Sequence, residues 1–112
     1  MLNKLFNLMA DAGFSGTRLE DDRFETAEFT KEYTSYGISD AITCVVSVMP
    51  SGALTGGFFM TRKWCERAKS VTEYKKLSMS LGERVRSYER PFVDETAESL
   101  MEKFIQYYRQ NT

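Results

Sequence analysis

Residues 77–108, LSMSLGERVRSYERPFVDETAESLMEKFIQYY, decide the fold class. Leu77, Met79 and Leu81 alternate with Ser78 and Ser80 at the two-residue period of a half-buried strand. Gly82-Glu83 supplies a turn, and Arg84 to Phe92 returns as a second strand. Asp94 then has the chemistry of a helix N-cap, and Glu95 and Glu98 bring negative charge to the positive end of a helix dipole. Ala97, Leu100, Met101, Phe104, Ile105 and Tyr108 fall on one face of that helix. The hairpin has one apolar side and the helix one apolar stripe, so Leu100, Met101, Phe104 and Ile105 are expected against a sheet that includes Leu77 and Met79.

The preceding residues extend the same pattern. Leu2, Leu5, Phe6 and Met9 mark the buried stripe of a short helix ending near Ala12, with Gly13 and Gly16 bracketing its exit. Glu20-Asp21-Asp22 forms a polar turn. Between Arg23 and Tyr33, Ala27, Phe29 and Tyr33 share one parity while Glu28, Thr30 and Glu32 share the other; Lys31 interrupts the apolar set, which predicts an edge strand. Ala41 to Met49 is apolar on both parities, as expected of a central strand covered on both faces or by a dimer partner. After Pro50-Ser51-Gly52 a third strand, Ala53 to Thr61, completes a meander, and Gly56-Gly57 marks a bulge, a bend or a close backbone approach. Trp64, Ala68 and Val71 recur at helical spacing between Arg62 and Tyr74. The expected order is α-β-β-β-α-β-β-α: a single α+β domain over residues 1–112, its antiparallel meander and hairpin covered by helices.

Length and composition agree with one core. The chain has 112 residues, 42% of them apolar and 28% charged, with a formal net charge of −1. That balance argues against nonspecific nucleic-acid binding by bulk charge and against an acidic nucleic-acid mimic, so any electrostatic function is local. Residues 1–60 hold four basic against eight acidic side chains and residues 61–112 hold eleven against eight. No apolar run approaches a membrane span, and Asn3, Lys4 and Asn7 interrupt the N-terminal apolar stretch, which predicts no signal peptide and a cytoplasmic protein.

The sequence is poor in catalytic chemistry. It contains no histidine, which removes the commonest general base and metal ligand. Cys44 and Cys65 lack metal spacing and read as reduced, mostly buried thiols; Cys65, near Arg62, Lys63, Arg67 and Lys69, is the only candidate nucleophile. Neither a metal site nor a cofactor motif is predicted: the acidic turn at Glu20 offers only weak cation binding, and the glycine runs lack the context of a phosphate loop.

Taken in order, the opening helix (Leu2 to Ala12), meander (Arg23 to Thr61), middle helix (Arg62 to Tyr74), hairpin (Leu77 to Phe92) and closing helix (Asp94 to Gln110) resemble the small α/β domain of type III secretion chaperones and the related YbjN-like proteins. The resemblance implies a non-enzymatic, often dimeric protein that binds a partner polypeptide along apolar grooves and sheet surface. The leading expectation is therefore a chaperone-like or adaptor-like protein-binding module. Its candidate contact residues are Arg62, Lys63, Arg67 and Lys69 on the middle helix, Phe29 and Tyr33 on the sheet, and Tyr107 on the last helix, where Tyr108 is assigned to the buried stripe. The alternative is a small inhibitor, of the kind carried by phages and mobile elements, that occludes a host enzyme or nucleic-acid complex; nucleic acid itself is the less favoured partner.

Overall fold

The computed structural model describes residues 2–20, 23–35, 38–60 and 89–112; the helix expected at 62–74 and the hairpin up to residue 88 lie outside the described residues. Helix α1 (Leu2–Asp11) buries Leu2, Leu5 and Met9, one residue per turn along a single stripe. It stops at Gly13, whose φ of +88° places it in the left-handed region. Gly13 N donates to the Ala10 carbonyl at 3.0 Å and Phe14 N to the Met9 carbonyl at 2.9 Å, the paired bonds of a Schellman motif. That motif turns Phe14 back into the core beside Met9.

Five strands follow in a sheet whose order equals their order in the chain: β1 (Ser15–Leu19), β2 (Thr26–Ser35), β3 (Ile38–Val48), β4 (Leu54–Met60) and β5 (Arg90–Glu95), every neighbouring pair antiparallel. Helix α2 (Ala97–Asn111) closes the described chain. The α+β class and the meander agree with the sequence pattern, and Ala41 to Met49 does form the middle of the sheet.

Strand β1 is an addition, because its side chains are almost all exposed and carry no apolar alternation. Its pairing with β2 makes β2 an internal strand, against the edge position inferred from Lys31. Lys31 is accommodated by lying over aromatic rings: its ammonium sits 5.4 Å from the Phe14 centroid and 4.8 Å from that of Tyr108. Gly16 is required on β1 because a Cβ there would come within 2.5 Å of the Phe6 ring and 2.8 Å of the Phe29 ring.

The two helices pack on each other, with α1 also against β1 and α2 against β4. Between them and the sheet lie Ala27, Phe29, Ile42, Cys44, Val46, Leu54, Phe58 and Phe92. Phe104 of α2 is stacked between Phe14, at 4.4 Å, and Phe58, at 5.3 Å and nearly parallel. The opposite side of the sheet is also buried, through Thr43, Val45, Ser47 and Phe59, and Thr26 and Ser47 pair their hydroxyls there at 2.8 Å.

Helix α2 starts later than its sequence suggests. Thr96 is the N-cap, accepting from Ser99 N at 3.2 Å while Ser99 Oγ accepts from Thr96 N at 3.0 Å, a reciprocal capping box. Asp94 instead adopts φ 55° outside the helix. Leu100 and Phe104 are fully buried and Met101 nearly so, with Ile105 partly buried beside them. Replacing Phe104 with Ala is expected to lower stability by about 3–5 kcal/mol, read as a fall in the urea unfolding midpoint at unchanged slope.

Candidate functional site

The last strand and last helix leave a groove between them. Leu54 pairs with Glu95 and Gly56 with Phe92, so Val93 and Asp94 together oppose the single residue Thr55, and β5 carries the extra residue of a β-bulge. An aspartate tolerates the left-handed conformation better than most residues, which lets Asp94 hold its φ of 55° there. With Phe92 facing the core, Val93, the next residue along the strand, faces outward. At 59% exposure it is the one exposed large hydrophobic side chain among the described residues.

Facing β5 on α2 are Lys103, Gln106, Tyr107 and Gln110, whose spacing of three, four and seven places them on one side of the helix. With Phe58, Phe92 and the residues of β5 they enclose a groove of about 590 Å³ open to solvent. Over seven residues the helical wall is about 10 Å long, room for roughly three residues of extended chain.

Tyr107 is 5% exposed, stacks on Phe58 at 5.4 Å and donates its hydroxyl to Glu89 Oε2 at 2.6 Å. Burial, followed by the Glu89 carboxylate that it bonds, raises its pKa well above the ordinary tyrosine value, so it stays a neutral donor. Arg90 pairs across the sheet with Phe58, on which Tyr107 stacks, so it lies at the Tyr107 end of the groove. At the other end, Glu95 accepts from the Lys103 ammonium and, at 2.6 Å, from Ser99 Oγ. The Lys103 hydrogen bond first, then that of Ser99, lowers the Glu95 pKa. Among the described residues three charged side chains line the groove, and two of them, Glu95 and Lys103, neutralise each other. The side-chain amides of Gln106 and Gln110, both exposed, make no hydrogen bond among the described residues.

Of the contact residues expected from sequence, Arg62, Lys63, Arg67 and Lys69 lie outside the described residues, as does Cys65. Phe29 is fully buried under α1, with the Phe6 ring 4.9 Å away, and so presents no docking surface. Tyr33 is half-buried, its ring edge-on to Tyr108 at 6.4 Å. The assignment of the two tyrosines is corrected: Tyr107 is buried and Tyr108 only partly so. The stripe widens toward Tyr107 because Phe58 lies beneath that flank of the helix. Arg90, Val93, Lys103, Gln106 and Gln110 were not singled out from sequence; the polar set repeating along one flank of the closing helix, beside a strand containing Pro91, is the signal they left.

Cys44 is a free thiol with no exposure, and its pKa is pushed well up by burial and then by Glu28, which holds it protonated and unreactive. Among the described residues no cluster of His, Cys, Asp and Glu is arranged to hold a metal ion, and no helix is long and apolar enough to cross a membrane. No protein-family model matches the sequence, and comparisons with curated proteins and with solved structures give no significant match.

Two measurements check this geometry. Tyr107→Phe removes a hydrogen bond to a carboxylate and is expected to cost about 1.5 kcal/mol in urea unfolding. Because the Glu95 pKa is depressed in the folded protein, its stabilisation is complete above about pH 5 and is lost as pH falls through the folded value. Wild type should therefore exceed Glu95→Gln in stability at pH 7, and the gap should narrow on acidification; a gap independent of pH would contradict the Lys103 and Ser99 contacts.

Proposed function

We propose that this protein is a non-catalytic binding module, chaperone-like or adaptor-like, that holds a segment of a partner polypeptide in the groove between β5 and α2. The observation that carries the reading is the groove itself: an apolar floor of Phe58 and Phe92, an exposed Val93, and unused amide and guanidinium groups on its walls. Binding sites combine an apolar interior with a few polar groups that fix orientation, and this composition fits that pattern. The volume suits a few side chains, and its open form suits a chain that enters and leaves at the ends.

The other described surfaces are less suited to the role. The apolar stripes of both helices and both faces of β3 and β4 are already buried, which leaves no free sheet face at Phe29 for a client. Absence of histidine and the protonated, enclosed Cys44 favour binding over turnover. A buried free thiol is also at home in a reducing compartment, in keeping with a cytoplasmic location.

Site-specific photocrosslinking tests the proposal. A benzophenone amino acid placed at Gln106 or at Val93 should yield adducts with a partner polypeptide in the native host, whereas the same group at Thr17 on β1 should not. Adducts formed from Thr17 but not from the groove positions would refute the assignment.

A further inference from the structure

Resting on that reading, we infer that the groove selects an extended peptide in which an apolar side chain lies about three residues from an Asp or Glu. The argument begins with charge. Among the described residues Arg90, Glu95 and Lys103 are the charged residues of the lining; the Glu95–Lys103 ion pair leaves the guanidinium of Arg90 as the unpaired charged group, while the neighbouring Glu89 carboxylate is taken up by the Tyr107 hydroxyl. Arg90 is exposed and makes no ion pair among the described residues. Its planar fork matches a carboxylate at two points, and charge-assisted bonds of this kind are the strong ones.

Spacing comes from the strand. Arg90 and Val93 are three residues apart on β5, about 10 Å at strand rise, which an extended peptide beside them also spans in about three residues. A side chain docked at the Val93 end of the groove therefore places a carboxylate at Arg90 when the two are about that far apart in sequence. Between them, the Gln106 and Gln110 amides each offer a donor and an acceptor to the peptide's main chain.

Main-chain pairing with the outer edge of β5 is the less suitable mode. Pro91 lacks an N–H, and the bulge at Asp94 with its positive φ breaks the regular strand, two devices that protect sheet edges from strand addition. The carboxylate is assigned to a side chain because capture of a chain terminus relies on a nest of backbone N–H groups, whereas the cation here is a side-chain guanidinium.

Peptide display on the intact protein tests the inference, with random 12-residue peptides presented in one library internally and in another with a free C-terminus. Wild type should enrich peptides carrying an apolar residue and an Asp or Glu two to four positions apart. Against Arg90→Glu the acidic preference should vanish or reverse to Lys and Arg, and a synthetic selected peptide should lose about tenfold or more in affinity by fluorescence anisotropy. Gln106→Trp, which fills the groove, should abolish enrichment, with its urea midpoint confirming that it folds. Enrichment that Gln106→Trp abolishes but that shows no acidic preference overturns the Arg90 assignment and leaves the groove reading standing. Enrichment that requires a free C-terminus overturns the choice of a side-chain carboxylate. No enrichment, or enrichment that Gln106→Trp leaves untouched, overturns both this inference and the groove on which it rests.

Discussion

The stack of Phe14, Phe104 and Phe58 is the contact on which the rest of the structure depends. Each ring comes from a different element: the exit of α1, the middle of α2 and the central part of β4. Aromatic pairs add to the free energy of burial and also restrict geometry. Phe14 reaches the stack only because Gly13 takes a left-handed conformation and reverses the chain immediately before it. Once α2 is set by Phe104, Phe58 also supports Tyr107 at 5.4 Å and Phe92 at 5.1 Å. The walls and floor of the groove are thus tied to the core by continuous ring contact.

A second constraint acts at the junction of β5 and α2. Only Thr96 separates the end of the strand from the first helical residue, so the chain must change direction within a few bonds. The bulge at Val93 and Asp94 and the Thr96–Ser99 capping box share this task. Glu95 links them, since its carboxylate binds Ser99 in the first turn and Lys103 one turn further on. The same geometry exposes Val93 and consumes the charge of Lys103. Local strain at a bulge and an unsatisfied surface therefore arise from one piece of chain, a coincidence common where strands border binding sites.

Burial on both sides of β3 and β4 withdraws the centre of the sheet from solvent. A sheet with one solvated face offers a broad platform, but here Val45 and Phe59 on one side and Cys44 and Phe58 on the other are all buried. Among the described residues the groove lies at a margin, where the last strand meets a helix whose polar flank faces it. On the proposed reading, such a margin would gain specificity from a few polar groups rather than from area.

Much of the architecture was legible in the sequence. The spacing of Leu2, Leu5 and Met9 and of Leu100, Met101 and Phe104 identified both helices and their buried sides, and the apolar run through Cys44 identified the middle strand, because periodicity reports directly which side of an element is withdrawn from water. Strand β1 left no such trace, since its pairing rests on backbone hydrogen bonds and on the absence of a side chain at Gly16. Lys31 misled because parity takes no account of rings that can carry a cation. Asp94 and Thr96 both have capping chemistry, and only the pairing of Leu54 with Glu95 assigns one to the bulge and the other to the helix. Sequence by itself determined the class and the two described helices. The groove was decided by tertiary structure, because a helical repeat specifies the centre of a buried stripe but not how far a neighbouring sheet extends beneath its flank, and it is that overhang which buries Tyr107 and leaves Gln106 and Gln110 facing Arg90 and Val93.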